Sequence, residues 1–399
     1  MRILNRAEKA FWLLDQVSSM NFAIAAEGTG MLRTLSIEKA AQALMRRYPM
    51  AAVHIVQEGS VLRFEAAEGM PEIRTCSIPW IQDLETDLTR PFPEGGPLWR
   101  ITLWQGPENF ALIVTFHHCI ADGRSGFRFL LDLLSVLDTQ ELPSLPAAGL
   151  QNRFEGAMFV PRPPPARPDV LPWFSKKTGP SVPRLTHISL TENESSGIVQ
   201  SAKKNSLTVH GLVGAAQLCA LASLLDSKSA NLALSTPADA RARLPANDSM
   251  LELCITLVTS PVLAEPGRML ECAREISAHI KSEMREDFLR FYETMPDADA
   301  LLAKEGGIRL FGTMMQRGVQ ASVLSNVGTV ELPVFSSFKV ESMCFTVHPT
   351  LLQPVFTTLT TCNGRMHLLL NHDSARWEEG TFQKFTEAFR ANLGILAGL

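Results

Sequence analysis

At 399 residues the chain exceeds one ordinary core and suits two domains of about 200 residues. Its net charge of −4, from 37 Lys and Arg against 41 Asp and Glu, offers no basic footprint for nucleic acid. Seven cysteines without paired spacing argue for reduced thiols in a cytoplasm rather than a disulfide framework, and no apolar stretch reaches the roughly 18 residues that a spanning helix needs.

Asn5 and Glu8 form a capping box for an amphipathic helix over 5–17, in which Lys9 and Asp15 break any signal-peptide core. A strand near 21–27, a helix over 36–47, strands near 51–57, 61–66, 99–104 and 110–116, and a helix over 125–137 follow. From 142 to 184 the pattern gives way to prolines, densest between Pro161 and Pro168, which build neither helix nor central strand. The second half restarts with a strand at 184–190, helices over 192–204 and 208–225, and strands at 231–236 and 253–260. Helices over 266–287 and 297–316, strands near 320–325, 341–347, 354–361 and 365–371, and a helix over 378–395 complete it. This order predicts a mixed α/β fold, divided into an N-terminal domain 1–141, a linker 142–184 and a C-terminal domain 185–399.

The most informative residues are His117-His118-Cys119-Ile120-Ala121-Asp122-Gly123, which follow the apolar strand 110–116. Strand alternation sends the two imidazoles opposite ways, so only one is placed to act as a base at a cleft. Asp122 is placed either to hold that imidazole or to lock the turn by pairing with a cation elsewhere, and Gly123 permits a tight turn or a close backbone approach. A metal reading fails for want of partners such as His-Glu-x-x-His or Cys-x-x-Cys. A serine-nucleophile elbow fails because Phe127 stands where the pattern needs glycine, which leaves Ser125 as a helix-start residue. Cys119 reads as a small buried residue and His372-Asp373 as a strand-end turn.

The string resembles His-His-x-x-x-Asp-Gly, the signature of the condensation-domain and chloramphenicol-acetyltransferase-like acyltransferases. Gly96-Pro97-Leu98-Trp99-Arg100 resembles the strand before that motif in polyketide-associated acyltransferases, alcohol acetyltransferases and wax-ester synthases. Thr236 to Leu244 resembles their segment around Asp239 and Arg241, and Ser325-Asn326-Val327-Gly328 their late loop. Gly364 to Leu368 resembles their terminal strand. One departure is Tyr48, where the family helix ends in histidine.

The resemblance implies two chloramphenicol-acetyltransferase-like subdomains in a V-shaped pseudo-dimer with the site in a tunnel between them. It makes His118 the general base, His117 a support for the turn, and Arg241 the salt-bridge partner of Asp122, which favours the structural role for that acid. It implies direct acyl transfer to a hydroxyl acceptor, without an acyl-enzyme or bound cofactor, from a thioester of coenzyme A or of phosphopantetheine on an acyl-carrier protein. Gly123 offers its amide to the oxyanion, a contact worth about 3 kcal/mol when well aimed. Two alternatives are a stand-alone condensation enzyme that joins an amine acceptor, and a non-catalytic relative that binds a carrier protein. Arg162, Arg167, Lys176, Lys177 and Arg184 offer a patch for phosphates or an acidic carrier, and Met314, Met315, Met343 and Met366 an adaptable acyl channel.

Overall fold

The computed structural model describes residues 2–139, 167–176, 179–243 and 250–398. The first half builds β1 (Arg2–Ile3), α1 (Arg6–Asp15), β2 (Asn21–Gly30), α2 (Thr34–Arg47), β3 (Val53–Glu58), β4 (Val61–Ala66), β5 (Glu72–Cys76), α3 (Trp80–Asp87), β6 (Trp99–Gln105), β7 (Asn109–His117) and α4 (Gly123–Thr139). The second half builds β8 (Pro183–Ser189), α5 (Glu192–Lys204), α6 (Val209–Ser223), β9 (Ala230–Asp239), β10 (Ile255–Ala264), α7 (Met269–Glu286), α8 (Arg290–Thr294), α9 (Ala298–Leu302), α10 (Gly307–Gln316), β11 (Ser322–Thr329), β12 (Phe338–Val347), β13 (Phe356–Cys362), β14 (Arg365–Asp373) and α11 (Thr381–Ala397). The expected mixed α/β class holds.

Three sheets organise the chain: β1-β4-β3, the five-stranded β12-β2-β7-β6-β5, and the six-stranded β10-β9-β11-β13-β14-β8. In the five-stranded sheet, alternate residues of β2 and β7 serve two cores. Phe22, Ile24, Leu112, Val114 and Phe116 face the helical core, while Ala23, Ala25, Ala111 and Ile113 meet α3 and Leu369 of the other sheet. A further core forms around α5, α6, α11 and the six-stranded sheet.

The division at 141 and 185 does not follow the sheets. β12 comes from the second half yet pairs antiparallel with β2, with Phe345 opposite Ile24 and Val347 opposite Phe22. Its apolar alternation is that of any half-buried strand, and only tertiary pairing decides which sheet it joins. The end of the expected linker is packed as well. Leu171, Trp173 and Phe174 are buried in the second core, where Trp173 stacks on Trp377 at 4.5 Å. Residues 140–166, which hold Arg162 and most of the proline run, lie outside the described residues, as does Lys177.

One expected helix, over 297–316, is two. α9 ends at Leu302, Gly306 at φ +70° is the N-cap of α10, and a Cβ on Gly307 would stand 1.9 Å from the Leu301 carbonyl oxygen. Among the described residues no single helix is long and apolar enough to cross a membrane.

Candidate active site

β7 delivers the histidine pair to a turn that α4 closes. His117, the last residue of β7, is opposite Asn21, and the His118 amide donates to the Met20 carbonyl at 3.0 Å. Beyond the strand the imidazoles part as alternation requires. His118 returns to the face of Phe116, its ring centroid 4.6 Å from those of both Phe11 and Phe22. It borders a cavity of about 550 Å³. His117 faces a separate cavity of about 840 Å³, beside Asp15, and accepts the Cys119 amide on Nδ1 at 3.1 Å.

The His118 cavity lies where the halves meet. α4 supplies Gly123, Arg124, Phe127, Arg128 and Leu131, β12 supplies Phe345 and Val347, and Asp239 of β9, Ser325, Asn326 and Thr329 of β11, and Arg241 and Glu331 just beyond these strands complete the polar rim. β9 and β11 pair in parallel only at Ser322–Leu234 and Val323–Ser235, then separate, and the space between Asp239 and Asn326 opens onto His118. A bulge at Asn326–Gly328, closed by the Asn326 side chain accepting the Gly328 amide at 2.8 Å, turns Val327 toward Gly123.

Asp122 does not hold the base. It is the N-cap of α4: its Oδ1 accepts the Ser125 amide at 2.9 Å, and Ser125 Oγ lies 3.0 Å from the Asp122 amide in return. Arg241 Nη1 stands 3.0 Å from Asp122 Oδ2, Arg241 Nη2 donates to Oδ1 at 3.2 Å, and the Cys254 amide donates to Oδ2 at 2.8 Å. Both residues are buried, and together they tie the start of α4 to the segment between β9 and β10. Ser125 is equally occupied, donating to the Glu252 carbonyl at 2.8 Å, which removes it as a nucleophile.

Electrostatics separate the two imidazoles. Burial between aromatic rings is the largest influence on His118 and pushes its pKa down to about 4, only partly opposed by the Asp122 charge. Its Nδ1 is enclosed, which leaves Nε2 to meet a ligand, and the ring's contacts with the His118 and Ala121 backbone offset burial only in part. Burial opposes a charge on His117 while the Asp15 carboxylate favours one, and because Nδ1 accepts the Cys119 amide the ring in this geometry is neutral with its proton on Nε2. Gly123 has no left-handed φ, so its permissive backbone is not the reason for glycine here. The reason is space: a Cβ would stand 3.3 Å from Val327 Cγ1 and 3.7 Å from Phe345 Cε2. As the first residue of α4 it presents an amide at the helix start, beside the cavity.

Other expectations are corrected or placed. The methionines do not form a channel at this cavity: Met343 and Met366 are buried in separate cores, Met314 is exposed, and phenylalanine, valine, isoleucine and leucine provide the apolar lining. Of the basic patch, Lys176 donates to the Gly318 carbonyl at 3.1 Å and Arg184 pairs with Glu85 at 3.3 Å. Asp373 accepts the Val182 and Ala375 amides, a strand-end turn as expected. Cys119 is buried, its thiol donating to the Glu8 carbonyl. Tyr48 is buried away from the cavity and ties α2 to α4 by donating to Asp132 at 2.5 Å. The sequence reading misses Phe11 and Phe22, which carry no polar signal, and takes Asp15 only as a break in a leader, while Val327 falls in the loop already singled out at Ser325 to Gly328.

Several solved structures share the fold of this chain. Polyketide synthase associated protein 5 from Mycobacterium tuberculosis superposes with a TM-score of 0.68 at 16% identity, covering 99% of this chain and 98% of that one. Trichothecene 15-O-acetyltransferase TRI3 from Fusarium sporotrichioides gives 0.68 at 15% identity, covering 100% and 94%. The first condensation domain of the calcium-dependent antibiotic synthetase gives 0.67 at 13% identity, covering 100% and 97%. The chain has the condensation-domain and chloramphenicol-acetyltransferase-like fold. In this fold the two halves form a pseudo-dimer, consistent with a cavity lined by both. Residues 179–355 match the family model described as phthiocerol/phthiodiolone dimycocerosyl transferase C-terminus. Polyketide synthase PksN of Bacillus subtilis is 26% identical over 150 residues, 34% of this chain, and the match spans 3% of that protein's length.

Proposed function

We propose that this protein transfers an acyl group from a thioester, carried on coenzyme A or on an acyl-carrier protein, to a hydroxyl acceptor. The observation that carries the reading is His118: an imidazole held between Phe11 and Phe22, kept neutral by burial, on a cavity lined by both halves of the chain. A neutral ring with a free lone pair is the form a general base needs.

In this reading the acceptor O–H gives its proton to His118 Nε2 as its oxygen attacks the thioester carbon. The carbonyl oxygen becomes an oxyanion, for which the Gly123 amide at the start of α4 is the donor. When the C–S bond breaks, the thiolate recovers the proton from His118, so acceptor proton and leaving group balance without an acyl-enzyme. Asp122 and Arg241 hold the start of α4, and hence Gly123, against the second half; His117 holds the turn. The names of the structural relatives, an O-acetyltransferase among them, agree with acyl transfer. Incubating the protein with acyl-coenzyme A donors and pooled alcohols or amines, then identifying new esters or amides by mass, tests the reading. An ester supports it, and an amide alone moves it to the amine-acceptor alternative. A carrier protein that binds without turnover on any acceptor replaces it with a binding role.

A further inference from the structure

Behind the His-His turn, a single carboxylate reaches both sides of the proposed base. Asp15 is the last residue of α1, and its Oδ1 accepts the Met20 amide at 2.7 Å. Met20 in turn accepts the His118 amide on its carbonyl at 3.0 Å. The second oxygen of Asp15, Oδ2, lies 3.4 Å from His117 Nε2. The other nitrogen of that ring accepts the Cys119 amide at 3.1 Å. The peptide entering His118 and the amide of the residue after it are thus both fixed through Asp15. One turn earlier on the same helix, Phe11 packs on the His118 ring, so α1 sets the position of ring and backbone together.

We propose that Asp15 is a positioning residue, which holds Met20 and His117 and so aims the His118 ring into its cavity. The proposal rests on the reading of His118 as the base. Asp15 itself lines the cavity on the His117 side and not the one that His118 borders.

The chemistry calls for a carboxylate. The Met20 N–H is a donor, and because His117 Nδ1 receives the Cys119 amide, the proton that this ring retains is on Nε2, facing Asp15. Two donors converge on one side chain, and a carboxylate has two acceptors. An asparagine of the same shape has one acceptor and one donor, so in either orientation one contact sets donor against donor.

Asp15→Asn, prepared with 15N-labelled histidine, tests this by imidazole 15N–1H spectra, steady-state kinetics and denaturant unfolding, with Asp15→Glu as the variant that keeps both acceptors. The expected result is that the His117 and His118 ring resonances both move in Asp15→Asn. We further expect kcat to fall about tenfold while the donor KM changes less than twofold, and Asp15→Glu to recover part of the loss. Unmoved His118 resonances would overturn the proposal, as would a kcat loss that merely tracks the unfolded fraction. A native enzyme without acyl transfer would defeat the functional reading alone, because the spectra still decide whether Asp15 governs the His118 ring.

Discussion

The acid limb of the pH–rate profile should lie far below that of an ordinary histidine. His118 is 5% exposed, and burial between Phe11 and Phe22 brings its pKa from 6.5 to about 4, which corresponds to about 3 kcal/mol against protonation. At pH 5.5 an unperturbed imidazole would be about 90% protonated and nearly useless as a base, whereas one with a pKa near 4 would be about 3% protonated. The assay is kcat/KM for acyl transfer from pH 4 to 8, with enzyme held at pH 7 and diluted into each buffer while tryptophan fluorescence follows the folded fraction. For folded enzyme, kcat/KM should stay within about twofold from pH 7 to 5 and fall only toward pH 4. An inflection near pH 6.5 with the protein still folded would refute the reasoning, since it would mean that the ring is solvated or that another group is the base.

Three further outcomes follow from the same geometry. Asp122→Asn leaves Arg241 with a weakened buried partner and should lower unfolding stability by about 3 kcal/mol, measured by denaturant; an inactive variant of native stability would instead mean that Asp122 orients the base. Gly123→Ala pushes a methyl against Val327 and Phe345 and should cost about 1 kcal/mol of stability while slowing long or branched acyl donors more than acetyl; unchanged donor preference would count against Gly123 at the acyl site. His118, His210, His348, His367 and His372 are all pushed down to about 4, with burial the largest cause in each. The unfolded chain therefore binds protons that the native state refuses. Stability should be full above pH 6.5 and decline as the pH drops toward 4, with the Glu8 carboxyl, which burial raises, opposing. Equal urea midpoints at pH 7 and 4.5 would contradict this.

Much of the site was legible because its residues are polar where a core should be apolar. His117, His118, Asp122 and Gly123 stand out at the end of a buried strand, and period-two alternation separates the imidazoles as observed. Asp122 was ambiguous: an acid four residues from a histidine looks the same whether it faces the ring or, as here, caps α4 and meets Arg241 more than a hundred residues away. The walls of the cavity were hidden for another reason. Phe22 and Phe345 are ordinary strand residues, and their place at the site comes from β12 joining β2, which tertiary pairing sets. The helix break at Gly306-Gly307 was readable in principle, since adjacent glycines at a helix centre are a stop signal.

The most direct test of the central claim is thiol release from a panel of acyl-coenzyme A and acyl-carrier-protein donors, with and without alcohol acceptors, for the native protein and His118→Ala. The account predicts release that depends on the acceptor and falls by about 10²–10⁴ in the variant. Release that is equal in the two proteins would contradict His118 as the base.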